Sequence, residues 1–193
     1  LPWGDLTGIR PTKIPMKLLE EGWKNTEIAR YMRETYGVSN EKTALAITIA
    51  NREKALLQDL DYENGYSLYV GIPFCPSICL YCSFGSHPLE RWTKRVDEYL
   101  DTLCKELTFI REQMGARKLT TVYIGGGTPT TLEPEQLRRL LSHIQKTFDF
   151  TWVKEYTVEA GRPDSITKEK LQVMKEFPVT RISVNPQTMN QKT

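Results

Sequence analysis

Ser67-Leu68-Tyr69-Val70-Gly71-Ile72-Pro73-Phe74-Cys75-Pro76-Ser77-Ile78-Cys79-Leu80-Tyr81-Cys82 carries the turning point of this 193-residue chain. From Ser67 to Phe74 the residues alternate and are rich in β-branched and aromatic types, which suit a pleated, half-buried surface. The run ends at a proline and a cysteine, and three cysteines then fall at the spacing Cys75-x3-Cys79-x2-Cys82. Beyond them the periodicity changes. Val96, Leu100, Leu103, Leu107 and Ile110 share one face of a helix expected over Thr93 to Met114, stopped by Gly115. Leu119 to Ile124 reads as a second strand. Pro134 opens a second helix with Leu137, Leu140, Leu141, Ile144 and Phe148 on one side. Lys154 to Ala160 reads as a third strand. Thr167 can cap a third helix, with Ile166 and Leu171 as a hydrophobic staple, and Thr180 to Asn185 is a fourth strand. Strand–helix–strand, repeated, predicts right-handed βαβ units and a parallel sheet, hence the α/β class.

The unusual residues gather where those strands end. The cysteines follow the first strand and Gly125-Gly126-Gly127-Thr128-Pro129 the second. Glu159-Ala160-Gly161-Arg162-Pro163 follows the third and Asn185-Pro186-Gln187 the fourth. In a parallel sheet all the carboxyl ends lie on one rim, where active sites form. Four such segments on one rim predict a single site.

Residues 1–66 read differently, as a helical region. Pro15, Leu18 and Leu19 suit a helix stopped by Gly22. Asn25 is a candidate cap for Ile28, Ala29, Met32 and Tyr36, and Asn40 for a longer helix with Leu45, Ile49, Leu56 and Leu60 at helical spacing. Asn64-Gly65 signals a turn into residues 67–193. A closed eight-unit barrel takes about 250 residues. Four units do not close, so the expectation is a partial TIM-like (β/α) barrel truncated after its fourth strand, with the remainder in a longer protein or supplied by a partner copy. The start at Leu1, without methionine, points to truncation or processing.

Composition narrows the classes. Apolar residues are 39% and charged residues 26%, a water-soluble globular balance. The apolar run from Ala44 to Ile47 stops at Thr48, far short of a membrane span. No secretory signal opens the chain. Residues 1–66 carry 9 basic and 10 acidic side chains, net −1, and residues 67–193 carry 17 and 14, net +3. Neither offers the basic patch that a nucleic-acid backbone calls for. Three clustered cysteines, with Cys104 apart, do not read as a disulfide framework; they suit metal ligation in a reducing compartment, the cytoplasm. Thiolates hold iron–sulfur clusters and zinc. Three thiolates leave one iron of a cubane open to a substrate or cofactor. The alternative is a closed zinc site with His87 as fourth ligand. Cys104 is expected in the core and His143 on a solvated helix face, and Trp3, Trp23, Trp92 and Trp152 are too scattered for a stacking platform.

Tyr69-Val70-Gly71-Ile72-Pro73-Phe74-Cys75, the Cys75/Cys79/Cys82 spacing and Gly125-Gly126-Gly127-Thr128-Pro129-Thr130 resemble the radical S-adenosylmethionine enzymes. With Val158-Glu159-Ala160 and Arg181 to Gln187 the resemblance narrows to the oxygen-independent coproporphyrinogen III oxidase (dehydrogenase) family. Thr7-Gly8-Ile9-Arg10-Pro11-Thr12 is similar to the extra N-terminal part of a variant branch. The resemblance implies a barrel of the radical SAM type and a [4Fe-4S] cluster on Cys75, Cys79 and Cys82. It implies S-adenosyl-L-methionine chelated at the open iron and cleaved by one electron to a 5′-deoxyadenosyl radical. Loss of hydrogen, CO2 and a further electron from the porphyrinogen propionates would convert coproporphyrinogen III to protoporphyrinogen IX in heme biosynthesis. Partners so implied are the tetrapyrrole substrate and an electron donor such as flavodoxin or ferredoxin.

The same resemblance gives residues their roles. Tyr69 would lie near the first S-adenosylmethionine as a catalytic and cofactor-binding residue, and Tyr81 beside the adenine or a second cofactor molecule. Gly126 would admit the methionyl end, Gly127 and Thr128 the neighbouring pocket. Glu159 would meet S-adenosylmethionine and Gln187 the second cofactor position. Read from the residues alone, Tyr69 is an ordinary strand aromatic, Tyr81 a shield for the cluster and Glu159 half of an ion pair with Arg162 or Arg181; Arg162 is a candidate to meet a propionate. The chain departs from the best-known oxidases at Phe84, where they have another cysteine, at Gly71, where they have histidine, and in Gly161-Arg162-Pro163 and Asn185-Pro186. A related branch with Phe after the third cysteine acts in heme trafficking. Three readings follow: decarboxylation of coproporphyrinogen III, heme binding or delivery on the same fold, and a radical enzyme for another substrate such as RNA or a peptide. Product formation, tight heme binding without turnover, and salt-sensitive tRNA binding would separate them. The 193 residues alone are expected to be inactive.

Overall fold

The computed structural model describes residues 1–8, 10–61 and 64–190. It divides into two compact units, Leu1–Leu60 and Asp61–Thr193.

The first unit holds three helices, α1 (Lys13–Glu20), α2 (Asn25–Tyr36) and α3 (Asn40–Leu57). Its core is Leu18, Leu19, Ile28, Met32, Val38, Ala46, Ile47 and Ala50. Two caps fall one residue earlier than the sequence suggests. Lys24 precedes α2 because Glu27, at the third helical position, takes the Lys24 N–H at 2.7 Å. Ser39 caps α3 because its extended backbone lets its hydroxyl accept the Lys42 N–H. The expected stripe of α3 is corrected outright: Leu45 is 43% and Leu56 76% exposed. The buried face is instead Thr43, Ala46, Ile47 and Ala50, where the two alanines let the helix approach its neighbours closely. Lys54 then donates from Nζ to the Leu19 carbonyl at 2.7 Å, joining α3 to α1.

The second unit is a four-stranded sheet of β1 (Gly65–Ile72), β2 (Lys118–Gly126), β3 (Glu155–Glu159) and β4 (Arg181–Ser183), in that order and all parallel. A short helix, α4 (Leu89–Trp92), and a 3-10 turn over Thr93–Arg95 lead into α5 (Val96–Met114). The helix expected from Thr93 therefore starts three residues later, because Trp92 and Arg95 sit near φ −119° and −112° with ψ 0° and break the ladder. Helix α6 (Pro134–Thr147) joins β2 to β3, and α7 (Lys168–Lys175) joins β3 to β4. Thr167 caps α7 by accepting the Lys170 N–H. Leu171 is 37% exposed, more open than its place in a staple implies.

Period-two alternation sorts each strand. Leu68, Val70, Ile72, Val122, Ile124, Tyr156 and Val158 pack into one core with Leu100, Leu107 and the fully buried Leu137, Leu140, Leu141 and Ile144 of α6. The intervening residues, Tyr69, Gly71, Tyr123, Gly125, Thr157 and Glu159, lie on the other face, the interior face of a (β/α) barrel. This is the expected α/β architecture of a partial barrel, with β1 and β4 at the edges of the described sheet. Cys104 is half-buried rather than in the core, and His143, on a partly solvated face of α6, has Nε2 3.2 Å from the Thr108 hydroxyl of α5. Among the described residues no helix is long and apolar enough to cross a membrane.

Candidate functional site

Carboxyl ends of all four strands open onto one cavity of about 310 Å3. Cys75, Cys79, Tyr81, Cys82 and Phe84 line it from the loop after β1, Gly126, Gly127 and Thr128 from β2, Glu159 and Arg162 from β3, and Ser183, Asn185 and Gln187 from β4. The four unusual segments thus meet, as parallel strands require. Tyr69 does not reach the cavity wall. It stands one step back on β1, 63% exposed and stacked on Tyr123 of β2 at 5.7 Å between centroids and 10° between planes.

Backbone contacts between β1 and β2 shape the floor. Gly127 N–H donates to the Ile72 carbonyl at 2.7 Å. A Cβ on Gly127 would sit 2.7 Å from the Phe74 carbonyl oxygen and 3.0 Å from Cys75 Sγ, and Gly126 holds φ +105° with Ile72 N 2.8 Å from where its Cβ would be. The run is therefore a requirement of packing as well as of flexibility. Cys75, nearly buried, lies 3.4 Å from the Thr128 hydroxyl, itself 2% exposed.

The cysteine loop is pinned at both ends. Phe74–Cys75 pairs parallel with His87–Pro88, and the His87 N–H donates to the Pro73 carbonyl at 2.7 Å. At the other side Arg162 Nη1 donates to the Ser77 carbonyl and hydroxyl, each at 3.0 Å, and lies 3.9 Å from Cys79 Sγ. Its remaining nitrogens grip Asp164, whose carboxylate raises the Arg162 pKa above its ordinary value while its own falls. That corrects the expectation that Arg162 is available to a propionate. Tyr81 donates its hydroxyl to Gln187 Oε1 at 2.8 Å, bringing two expected site residues together, and Gln187 adopts φ +65° to present that oxygen.

Glu159 has neither arginine as a partner. Arg181 pairs with Glu155 at 3.1 Å and Arg162 with Asp164. Oε1 of Glu159 instead accepts the Tyr123 hydroxyl at 2.6 Å, which, together with burial, pushes the phenol up to about 12. Tyr123 was not visible as a site residue from sequence, where it reads as one more strand aromatic. The available signal was its place two residues before the glycine run, on the same face as Gly125.

His87 is turned elsewhere. It packs on Trp92 at 5.0 Å and lines a separate pocket with Phe74, Arg95 and Tyr99, so it does not complete a four-ligand zinc shell. Among the described residues no three His, Cys, Asp or Glu side chains converge as a ready site for a single metal ion. The three thiols share a cavity rather than a point. A cubane is wider than one ion, and the absent side chain at Gly127 leaves Cys75 its space. The donor type, three thiols lining one cavity, fits an iron–sulfur cluster.

A parallel (β/α) sheet with a Cys-x3-Cys-x2-Cys loop after its first strand and a glycine run after its second, both on one rim, defines a class. The chain belongs to the radical SAM superfamily, whose family profile matches residues 69–193. Among its relatives is the oxygen-independent coproporphyrinogen-III oxidase-like protein HemZ of Bacillus subtilis, 40% identical over 99% of this chain and 39% of that protein. The heme chaperone HemW of the same organism is 41% identical over 63% of this chain and 32% of that protein. The solved structure of coproporphyrinogen III oxidase HemN from Escherichia coli, described as a radical SAM enzyme, superposes with a TM-score of 0.60 at 30% identity, over 72% of this chain and 32% of that one. The chain spans about two fifths or less of the length of these relatives.

Proposed function

We propose that this chain forms the cofactor-cleaving part of a radical S-adenosylmethionine enzyme that decarboxylates coproporphyrinogen III oxidatively to protoporphyrinogen IX. One observation carries the reading: three cysteines, a backbone floor of glycines and a carboxylate line one cavity at the strand ends. Cys75, Cys79 and Cys82 would hold three irons of a [4Fe-4S] cluster. When bound, cluster and cofactor together supply one-electron cleavage and hydrogen-atom abstraction, chemistry that no protein side chain provides. The chain's own residues bind and orient. Gly126, Gly127 and Thr128 bring backbone and hydroxyl up to the ligand, Glu159 presents a carboxylate to its donors, and Tyr81 with Gln187 walls the opposite side. Tyr69 stands behind the cavity and acts on the site only through its stack on Tyr123. A flavodoxin- or ferredoxin-like protein supplies electrons, and three unpaired cysteines in one cavity favour a reducing compartment, the cytoplasm.

Phe84 favours a second reading. It is 77% exposed on the cavity wall, an apolar ring where a porphyrin face could lie, and the heme chaperone HemW is as similar in identity as the oxidase-like relative, 41% against 40%, over 63% of this chain against 99%. On that reading the protein binds or delivers heme.

Anaerobic reconstitution followed by iron and sulfide analysis tests the shared premise. Wild-type protein should take up close to four of each, and Cys79→Ala should lose most of both. Uptake of zinc alone, or an unaffected Cys79→Ala, would remove the radical chemistry. Conversion of coproporphyrinogen III by the whole cluster-loaded protein, set against tight heme binding without product, separates the two readings.

A further inference from the structure

Two rows of side chains cross the interior face of the sheet at its carboxyl ends. In the first, Tyr69, Tyr123 and Thr157 stand side by side on β1, β2 and β3. In the next, two residues on along each strand, come Gly71, Gly125 and Glu159. A Cβ on Gly125 would lie 2.8 Å from Tyr123 Cε1 and 3.1 Å from both Cδ and Oε2 of Glu159. The Glu159 carboxylate therefore leans over the space that Gly125 leaves empty, back along the sheet, until Oε1 meets the Tyr123 hydroxyl at 2.6 Å. Behind it Tyr69 stacks nearly parallel on the Tyr123 ring. The two nearby arginines are committed to Asp164, Ser77 and Glu155.

We propose that Tyr123 is a positioning residue: its phenol, held in plane by Tyr69 and admitted by Gly125, fixes the Glu159 carboxylate so that one oxygen is left for a ligand bearing N–H or O–H donors. This rests on the reading above, in which that ligand is S-adenosylmethionine, with its amine and ribose hydroxyls. Without the phenol the carboxylate would sample several rotamers, and a ligand would have to order it on binding. The stack and the strand register would stay, since neither uses the hydroxyl.

Equilibrium dialysis of labelled S-adenosylmethionine against the cluster-loaded full chain, kept anaerobic, tests this with Tyr123→Phe, Glu159→Gln and the double variant. Tyr123→Phe should weaken binding by about 5- to 10-fold, the share of one charge-assisted hydrogen bond that survives partial exposure. The double variant should bind no worse than Glu159→Gln alone, because Tyr123 acts through that carboxylate. Additive losses, or wild-type affinity in Tyr123→Phe, would overturn the positioning role. A second arm needs no cofactor: the side-chain carboxyl carbon of Glu159, read by NMR in labelled protein, should shift between wild type and Tyr123→Phe, and an unmoved resonance overturns the proposal directly. Wild-type protein that loads its cluster yet binds no S-adenosylmethionine would instead remove the proposed function and with it the ligand named here.

Discussion

Gly127→Ala puts a single methyl group into the narrowest contact of the site. Its Cβ would meet the Phe74 carbonyl oxygen at 2.7 Å, the Ile72 carbonyl oxygen at 3.0 Å and Cys75 Sγ at 3.0 Å. Ordinary contact begins near 3.4 Å, so the nearest pair must open by about 0.7 Å. Two of the three atoms are backbone of one segment, Ile72 to Cys75, and cannot swing aside as a flexible side chain would. The segment has to move as a piece, and the 2.7 Å bond from Gly127 N–H to the Ile72 carbonyl stretches with it. Overpacking of this kind costs about 1–3 kcal/mol, and the weakened hydrogen bond about 1 kcal/mol more. The sum lowers the melting midpoint of this unit by roughly 10 °C. Because Cys75 rides on the displaced segment, iron uptake should fall with stability. Circular dichroism on heating and iron analysis after anaerobic reconstitution read the two effects separately. Gly161→Ala is the control: it sits beside the same cavity, and its Cβ would meet nothing within 4 Å. A Gly127→Ala protein that melts and loads iron like Gly161→Ala would refute the claim that β2 clamps the cysteine segment.

Elsewhere, Lys170 is 7% exposed and donates from Nζ to the carbonyls of Thr130 at 2.7 Å and Ser165 at 3.2 Å, tying the loops after β2 and β3 together. Lys170→Met keeps the length and strands both carbonyls, so urea unfolding should show a loss of about 2–4 kcal/mol; a midpoint like the wild type's would mean the ammonium is dispensable. The Tyr156 hydroxyl is buried without a partner among the described residues. Tyr156→Phe removes that group and keeps the ring, so stability should hold or rise by about 1 kcal/mol. A clear loss would reveal a hydrogen bond the packing does not account for.

Local physics made much of this protein legible from its residues. The period of two in β1 and β2 and the 3.6-residue period in α5 and α6 are properties of the backbone, so Val96, Leu100, Leu137 and Leu141 fall inward as their spacing requires. Caps at Thr167 and the stop at Gly115 are equally local. The gathering of the glycine run, the cysteines and Glu159 on one rim follows from parallel strands alone, because every carboxyl end then points the same way.

Tertiary structure decided what depends on partners distant in sequence. In α3 both the Leu45/Leu56 stripe and the Ala46/Ala50 face have helical spacing, and only close packing within the first unit selects the second. Sequence placed Glu159 at the rim, but its pairing with Tyr123 rather than with an arginine depends on which strand lies beside β3 and on the space left at Gly125. Arg162 likewise reaches the cysteine loop through Ser77, 85 residues away, while its other nitrogens hold the neighbouring Asp164. Periodicity and spacing are written in neighbours along the chain; a hydrogen-bond partner is chosen by distance and exclusion in three dimensions, which no spacing encodes.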